Sequence, residues 1–565
     1  MDAAGRRLTM VLASILVLLG SNQHYTADAE DRHVFLDWEV SYAIRSPLGV
    51  AKKVITINGK LPGPLLNLTT NDVAHVNVAN TLDEPFLLTW NGLQMRRNSW
   101  NDGVAGTNCA IPPGENWTYV FQVKDEVGSF FYRPSLGLHA AAGGHGPIRV
   151  NNRPVVAVPF AQPDGDLDVL IGDWYNMDVK EMRARLDRGR GLPSPDGILI
   201  NGLGPYAADF TFKPGGTYRL RVSNVGTRTS LSFRIQGHKL LLVEAEGAYT
   251  VQKHYASLDV HPGQSLSVLV TAAADRPKPS YYMVVSSLFV EPELFGVANV
   301  LYAGSGSSPA PPPGDAPLED ASSHNGYARS MEQAQTVRMN LTCGAARPNP
   351  QGSFRYGRIN VTRTLLLRND EALVGGRRRC TVNGVSFADP ATPLKLADHF
   401  DVAGVFAVVS GRPAAAGTRQ KQPSLGTAVV DARYRDFVQI VFENRLPSLQ
   451  TWHLDGYSFF VAGMGWGKWS PDARSSYNLV DAIYRSTVQV YPAAWTAVLV
   501  SLDNEGMWNL RSQCLDRRYL GQEMYMRVSQ RGSSVSEVPD PRDELPMPSN
   551  ALLCGKAKAF KLGRT

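Results

Sequence analysis

Short runs of alternating or β-branched hydrophobic residues recur along the chain and predict β-strands. The clearest runs are 54–57, 73–78, 218–222 and 437–441, each bounded by Gly, Pro, Asn or Asp. Helical periodicity is scarce, and 179–188 is the best short helical candidate. The pattern therefore predicts an all-β chain built from sandwich or barrel domains.

An internal repeat predicts how many domains there are. An apolar-Asn-Gly turn follows a strand three times, at 57–59, 200–202 and 382–384. A Pro-Gly pair also precedes a strand at 113–114, 214–215 and 262–263. One such turn is a common hairpin signal, whereas its recurrence in matching context indicates repeated domains. A length of 565 residues suits about three domains.

The composition along the chain suggests the domain boundaries. A Gly-, Ser- and Pro-rich stretch at 304–317 cannot bury a core and predicts a linker. We expect domains over 30–155, 156–303 and 335–535, a linker over 304–334 and a C-terminal tail over 536–565.

The N-terminal sequence predicts a signal peptide over 1–29. Arg6 and Arg7 precede an apolar run at 8–19, and a small-x-small cleavage site follows at 27–29. A transmembrane anchor is the alternative, but the run is short for a bilayer. The basic C-terminus at 556–565 lacks the hydrophobic tail of a lipid-anchor signal. We therefore expect a secreted, extracellular protein without a transmembrane or lipid anchor.

Net charge and cysteine spacing argue against two further classes of protein. A net charge of +6 over the whole chain is too dilute to indicate nucleic-acid binding. None of the five cysteines forms a close CxxC pair, which argues against a zinc or redox motif. Glycosylation sequons, which fit a secretory route, lie at Asn67, Asn116, Asn340 and Asn360.

Four segments resemble the copper-binding motifs of multicopper oxidases, which read HWHG, YHGHL, HPWHLHG and HCH in that family. Here they read TWNG at 89–92, YRPSL at 132–136, QTWHLDG at 450–456 and WNLRSQ at 508–513. Further matches in order and spacing lie at 57–64, 101–103, 109–114, 128–132 and 503–508. The resemblance implies three cupredoxin (plastocyanin-like) Greek-key β-sandwich domains over roughly 32–530.

Two further segments, 94–100 and 489–496, are similar to a plant subgroup of this family. That subgroup comprises the skewed-growth, monocopper oxidase-like proteins and the pollen L-ascorbate oxidase homologues. The resemblance implies a setting in the plant cell wall, in directional cell expansion or pollen tube growth.

The resemblance also assigns the copper-ligand positions. Those of the blue, type 1 copper fall on Gln450, Ser512, Arg517 and, at the axial place, Gln522. Those of the type 2 copper fall on Thr89 and His453. Those of the two type 3 coppers fall on Asn91, Arg133 and Gln513, and on Ser135, Asp455 and Arg511. Of ten histidine positions in the family, only His453 keeps its histidine.

These residue types do not suit copper. A blue copper needs a thiolate and imidazoles, and an arginine guanidinium stays protonated and repels a cation. Asp455 and Arg511 share one type 3 position, so we predict that they form an ion pair. Cys514 would serve the type 1 site only through a shifted strand register. His453 is either a weak, lone copper ligand or a hydrogen-bonded remnant.

The family's bond between the first domain and the chain end falls on Cys109 and Cys554, with an unpaired Cys109 as the alternative. Cys343, Cys380 and Cys514 receive no assigned partners. His139 and His145 do not match a copper pattern, and we expect satisfied polar residues at a domain interface.

Two functions remain in competition. The first is a non-catalytic secreted glycoprotein that binds an unknown cell-wall or cell-surface component, with no catalytic residues and no cofactor expected. The second is a copper-dependent oxidoreductase, ascorbate oxidase-like, with a reduced mononuclear copper site. Because function belongs to a site rather than a fold, the candidate ligand positions decide between them.

Overall fold

Alternating burial along the strands shows how the sequence pattern forms the sheets. In the strand Val73–Asn80, every second side chain is buried, among them Val76 and Val78. The four predicted strand segments all lie in strands, so those predictions are confirmed. This computed structural model describes residues 31–124, 126–154, 157–275, 280–303, 326–342, 355–413, 422–530 and 543–560. The predicted signal peptide, the stretch 304–317 and Cys343 lie outside these ranges.

The first sandwich consists of two four-stranded sheets, ordered β2-β1-β4-β6 and β3-β8-β7-β5. Strands β1 and β4 run parallel, whereas β7 pairs antiparallel with both of its neighbours. The strands are β1 (His33–Arg45), β2 (Lys52–Ile57), β3 (Leu66–Thr69), β4 (Val73–Asn80), β5 (Leu88–Asn91), β6 (Asn116–Gln122), β7 (Gly128–Pro134) and β8 (Gly146–Asn151).

The second sandwich pairs the sheet β10-β9-β12-β17-β14-β15 with the sheet β11-β19-β18-β13-β16. Its elements are β9 (Gly165–Trp174), α1 (Val179–Asp187), β10 (Gly197–Ile200), β11 (Asp209–Phe212), β12 (Thr217–Asn224), β13 (Ser230–Ile235), β14 (Leu240–Ala245), β15 (Ala248–Tyr255), β16 (Leu258–Val260), β17 (Ser265–Thr271), β18 (Ser280–Leu288) and β19 (Phe295–Tyr302).

The third sandwich pairs β24-β22-β21-β20-β26-β31-β28-β29 with β23-β25-β33-β32-β27-β30. Its elements are α2 (Tyr327–Thr336), β20 (Arg363–Val374), β21 (Arg377–Val382), β22 (Val385–Phe387), α3 (Leu394–His399), β23 (Ala407–Val408), β24 (Ser424–Gly426), β25 (Ala428–Arg433), β26 (Phe437–Asn444), β27 (Gln450–Leu454), β28 (Phe459–Trp466), β29 (Tyr484–Arg485), β30 (Thr487–Val490), β31 (Ala494–Ser501), β32 (Gly506–Ser512), α4 (Leu515–Tyr519) and β33 (Glu523–Ser529).

Short 3-10 helices lie in the connections, at Ser99–Asn101, His139–Ala142, Tyr356–Arg358, Pro471–Ser476 and Gly555–Ala559. Among the helices of the described ranges, none has the length and apolar character that a bilayer crossing requires.

The repeated Asn-Gly turns have the same geometry in each sandwich. Asn58, Asn201 and Asn383 adopt φ angles of 50°, 50° and 51°, in the left-handed region that asparagine tolerates well. Each side-chain oxygen accepts a hydrogen bond from a backbone N–H of the domain's first strand, over 2.7, 2.7 and 2.9 Å respectively. An asparagine at the corresponding position thus fixes the same hairpin in each sandwich. The prediction of three repeated domains is therefore confirmed.

The prediction of a helix at 179–188 is confirmed, whereas the predicted extent of the linker is not. The candidate at 179–188 is helix α1, which Asp178 caps by accepting a 2.7 Å hydrogen bond from the N–H of Lys180. The linker predicted over 304–334 is wrong at its end, since α2 begins at Tyr327. That segment contains neither Gly nor Pro, and it buries Met331 against Leu449.

The chain end packs against the first sandwich. Trp100 and Trp117 donate indole hydrogen bonds of 3.0 Å to the carbonyl oxygens of Leu545 and Asn550. The predicted disulfide between Cys109 and Cys554 is present and joins residues separated by 445 positions. The tail therefore connects the first and last sandwiches covalently.

Candidate functional site

The sequence-predicted positions of the trinuclear copper cluster come together where the three sandwiches meet. Strand β5 supplies Thr89 and Asn91, while β7 supplies Arg133, the cross-strand partner of Thr89. In the third sandwich, His453 of β27 pairs in register with Arg511 of β32. The buried residues at this meeting point form a group that we call the interdomain junction. Its members are Thr89, Asn91, Arg133, Ser135, His453, Asp455, Arg511 and Gln513, together with Gly263 and Thr487.

One hydrogen-bond chain in the interdomain junction crosses all three sandwiches. The Gln513 amide donates to Asn91 Oδ1 over 2.6 Å, and Asn91 Nδ2 donates to the carbonyl oxygen of Gly263 over 3.1 Å. The Arg133 guanidinium donates to Gln513 Oε1. Residues at positions assigned to one type 3 copper therefore bond directly to one another.

Gly263 makes this approach of the chains possible. Its φ is +85°, and a Cβ built there would lie 2.6 Å from Gln513 Cγ. A side chain would therefore be strained and would also collide with the amide that bridges the sandwiches. The Pro-Gly repeat marked this residue in the sequence, but nothing in the repeat indicated its packing role.

A second chain of hydrogen bonds surrounds His453. Its Nε2 lies 2.9 Å from Asp455 Oδ1, and its Nδ1 lies 2.8 Å from Thr487 Oγ1. Asp455 Oδ2 accepts from Arg511, so the predicted ion pair is confirmed. Arg511 also donates to Asn509 Oδ1 over 2.9 Å. Both ring nitrogens of His453 are therefore engaged.

The electrostatics of this chain follow from burial and charge. Burial lowers the pKa of His453, and Asp455 opposes that shift only in part, which favours a neutral imidazole. Burial alone would raise the pKa of Asp455, but Arg511 and His453 outweigh it and lower that pKa. Nε2–H then donates to Asp455 Oδ1, and Nδ1 faces the Thr487 hydroxyl, which also lies within hydrogen-bonding distance, 3.1 Å, of the Gly263 carbonyl oxygen.

Sequence reasoning missed Asp102, which lies beside the ion pair of Asp455 and Arg511. Burial, together with the charge of Asp455, raises the pKa of Asp102 well above its usual range. Asp102 directly follows the 3-10 helix Ser99–Asn101 and lies in the segment 101–103, to which the family resemblance extends without giving Asp102 a role. Ser135 belongs to the same region and donates a 2.5 Å hydrogen bond to the carbonyl oxygen of Gly103.

The positions assigned to the blue copper form a separate polar cluster in the third sandwich. Gln450 Oε1 accepts from the side-chain amides of Asn369 and Gln522. Ser512 Oγ accepts from the N–H of Cys514 over 3.2 Å.

Arg517 extends that cluster. It donates to Glu371 and, over 3.2 Å, to Ser448 Oγ. Burial opposes its charge, but Cys380, Asp516 and Glu371 outweigh that effect and raise the pKa of Arg517.

Cys514 does not lie on a strand, so the shifted strand register that would bring it to the type 1 site does not occur. Strand β32 ends at Ser512, and Cys514 is the residue that precedes helix α4. Its sulfur lies 4.0 Å from Thr451 Oγ1. In the described part of the chain, Cys380 and Cys514 are free and buried. Burial raises the pKa of both thiols, that of Cys380 to about 12, which disfavours the nucleophilic thiolate form.

The two histidines outside the motifs differ from each other. His139 Nε2 lies 3.0 Å from Glu84 Oε2, which also accepts a 2.7 Å hydrogen bond from Arg183 of α1. Burial alone would raise the pKa of Glu84, but His139 and Arg183 outweigh that effect and lower the pKa to about 2. Neither histidine is fully satisfied as expected, because Nδ1 of His139 and Nδ1 of His145 are both buried and have no hydrogen-bond partner among the described residues. Burial lowers the pKa of His145 to about 4.

The donor set of the interdomain junction does not match the needs of copper. Copper sites in proteins use imidazole and thiolate, whereas amide, hydroxyl and guanidinium groups predominate here. Across the described residues, no group of three His, Cys, Asp or Glu side chains is placed to hold a metal ion. The assignment of these positions as copper-ligand positions itself stays a prediction.

Family models give the class of the protein. Three models described as multicopper oxidase match residues 39–155, 166–303 and 391–533. The chain belongs to the multicopper oxidase family, whose name implies a copper cofactor, and its architecture is three cupredoxin domains.

Particular relatives are similar over nearly the whole chain. Monocopper oxidase-like protein SKS1 of Arabidopsis thaliana is 50% identical over 94% of this chain and 90% of its own. An L-ascorbate oxidase homolog of Brassica napus is 48% identical over 94% of both chains. An L-ascorbate oxidase of Cucurbita maxima is 27% identical over 83% of this chain and 86% of its own.

Solved structures agree on the fold. The multicopper oxidase Fet3p, described as functioning in iron import, superposes with a TM-score of 0.74 at 18% identity. That match covers 90% of this chain and 93% of the other. A laccase from Botrytis aclada gives a TM-score of 0.70 at 21% identity, over 90% and 89%.

Proposed function

We propose that this protein is a non-catalytic member of the multicopper oxidase family, in which the copper ligands have been replaced by a polar network that holds the three domains together. In this proposal it is a secreted glycoprotein of the plant cell wall that supports directional cell expansion or pollen tube growth. Its partner would be a cell-wall or cell-surface component.

The single observation that carries the proposal is the state of His453. In a neutral imidazole only one ring nitrogen has a lone pair for a metal. Here Nε2 faces Asp455 and Nδ1 faces the Thr487 hydroxyl, so copper binding would have to break a buried hydrogen bond. The arginine at 511 adds a positive charge next to the same carboxylate.

The expected extracellular setting has separate support. The side chains of Asn67, Asn116 and Asn360 are exposed, and that of Asn340 is half-buried, so glycans can reach these sequons. The apolar N-terminal run is of signal-peptide type. Glycosidase treatment of protein secreted by plant cells should lower its mass, and an unchanged mass would argue against this part.

Metal content tests the central claim. The full chain, secreted by plant cells in copper-supplemented medium, should contain well under one copper per molecule by mass spectrometry of the metal. It should also show no blue absorption and no oxygen uptake with ascorbate. An L-ascorbate oxidase processed in parallel controls for copper loading and for the assay.

Two variants sharpen this test. Gln450→His/Ser512→Cys/Arg517→His restores the family's strong type 1 ligands and should gain blue absorption after copper loading. His453→Gln should leave the wild-type copper content unchanged. Stoichiometric copper that disappears in His453→Gln would instead support the mononuclear oxidoreductase, and turnover of ascorbate would overturn the proposal.

The partner requires a separate experiment. The intact glycoprotein, immobilised and incubated with fractionated cell-wall polysaccharides and cell-surface proteins, should retain one component reproducibly. The L-ascorbate oxidase from the metal test, which has the same fold, is the matched control. Equal retention by both proteins would argue against a specific partner.

A further inference from the structure

Several hydrogen-bond donors in the interdomain junction have no acceptor among the described residues. In that part of the chain, Nε and Nη1 of Arg133, Nε and Nη2 of Arg511 and the hydroxyl group of Thr89 are buried and make no hydrogen bond. All three residues are 0% exposed. Buried polar groups of native proteins are almost always hydrogen-bonded, and an unpaired buried charge is strongly unfavourable. Donors concentrated in one place therefore indicate a missing acceptor.

These donors face one region. Thr89 and Arg133 are directly opposed on β5 and β7, so both side chains lie on the same face of the sheet. Asn91 lies two residues along that face and bonds to Gln513, the acceptor of Arg133. Arg511 precedes Gln513 by two residues, and its charge is among those acting on Arg133.

The surrounding charges leave Arg133 uncompensated. Asp455 is paired with Arg511, Glu523 with Arg518, and Glu246 with Arg485. In the described ranges no carboxylate forms an ion pair with Arg133. The side chain that accepts a hydrogen bond from Arg133 there is the neutral amide of Gln513.

We propose that Arg133, Thr89 and Arg511 form a buried site for a small monovalent inorganic anion of halide size, at the place where the family holds its trinuclear copper cluster. A halide accepts several N–H and O–H hydrogen bonds at once and neutralises Arg133. The complete burial of the three side chains favours a small ion over an organic acid. The inference rests on the proposed function, because copper at this place would leave no room for the anion.

Bromide is the probe, since its anomalous scattering identifies it. Crystals of the full-length secreted protein grown in bromide should show an anomalous peak within hydrogen-bonding distance of Arg133 and Thr89. Peaks confined to surface arginines would overturn the proposal. Copper at this place would overturn both proposals, whereas a site holding neither ion would overturn the anion alone.

Thermal unfolding in solution gives an independent test. With gluconate replacing chloride or bromide at constant ionic strength, halide should raise the Tm of the wild type in a saturable manner. Arg133→Met should abolish that rise, while Arg445→Met, at a half-exposed arginine, should retain it. Equal halide responses in wild type and Arg133→Met would contradict the proposal.

Thr89→Val keeps the inference testable if Arg133→Met does not fold. This change removes one hydroxyl and nearly preserves shape. It should raise the half-saturating halide concentration at least about tenfold, the size expected for a hydrogen bond to a charged group. An unchanged half-saturating concentration would remove Thr89 from the site and overturn the three-residue assignment.

Discussion

Replacing Asp455 by asparagine tests whether the polar network stabilises the third domain. The variant keeps an oxygen for His453 Nε2 but presents an amide N–H to Arg511 in place of a carboxylate oxygen. The loss of charge leaves Arg511 buried with Asn509 as its remaining side-chain acceptor. Asp455→Asn should therefore destabilise the protein.

The magnitude follows from burial. Asp455 is 3% and Arg511 0% exposed, and breaking such a pair on one side costs about 3–5 kcal/mol. A half-exposed pair is worth only about 0–1 kcal/mol. Asp370, which is 43% exposed and lies 3.6 Å from Arg445, supplies the matched control in the same domain. Asp370→Asn should thus cost less than a third of what Asp455→Asn costs.

Guanidinium unfolding of both variants, followed by tryptophan fluorescence, measures the difference. Calorimetry should accompany it, because a three-domain chain need not unfold in one step. The double variant Asp455→Asn/Arg511→Met removes both charges and should cost less than the sum of the single changes, with a coupling of about 0.5–3 kcal/mol. A loss for Asp455→Asn equal to that for Asp370→Asn would refute this reasoning, as would strict additivity in the double variant.

Three further predictions concern other parts of the fold. Gly263→Ala should lower Tm more than Gly114→Ala, because both glycines have positive φ but only Gly263 would bring a Cβ within 2.6 Å of a neighbouring atom. Glu84→Gln should flatten the loss of stability between about pH 4.5 and pH 2, since a carboxyl whose pKa is lowered to about 2 stabilises the fold above its ordinary pKa and loses that effect as pH falls. Cys109→Ser should cost about 2–5 kcal/mol and free the thiol of Cys554, measured by denaturation and thiol titration; an unchanged midpoint would contradict it.

The strands and turns were predictable because their causes are local. Alternating side chains and the Asn-Gly turns act within a few residues, and the structure uses them as expected. A third repeat, besides the Asn-Gly turns and the Pro-Gly pairs, was present in the sequence and was missed. Asn80, Asn224 and Asn444 each end a strand, and each side-chain oxygen accepts a backbone N–H two residues later over 3.0 Å. This motif was detectable by the same comparison of corresponding strands.

The site was predictable only in part. The ion pair followed from two opposite charges at one family position. The bridge from Gln513 to Asn91 joins residues 422 positions apart, and its geometry depends on how three sandwiches pack. The role of Asp102 likewise depends on a carboxylate that only tertiary structure brings near. Local patterns do not contain this information.

In the proposed function the multicopper-oxidase fold operates without copper and therefore needs another means of holding its domains together. Metal ligands from different domains contribute binding energy to folding, and removing the metal removes that cross-link. Here Gln513, Asn91 and Gly263 form a hydrogen-bonded bridge across all three domains at the same place. The disulfide from Cys109 to Cys554 adds a covalent link at the far end of the chain. In the proposed function the residues at the assigned ligand positions thus have a structural logic, since most of them form a protein–protein hydrogen bond where the family would place a metal ligand.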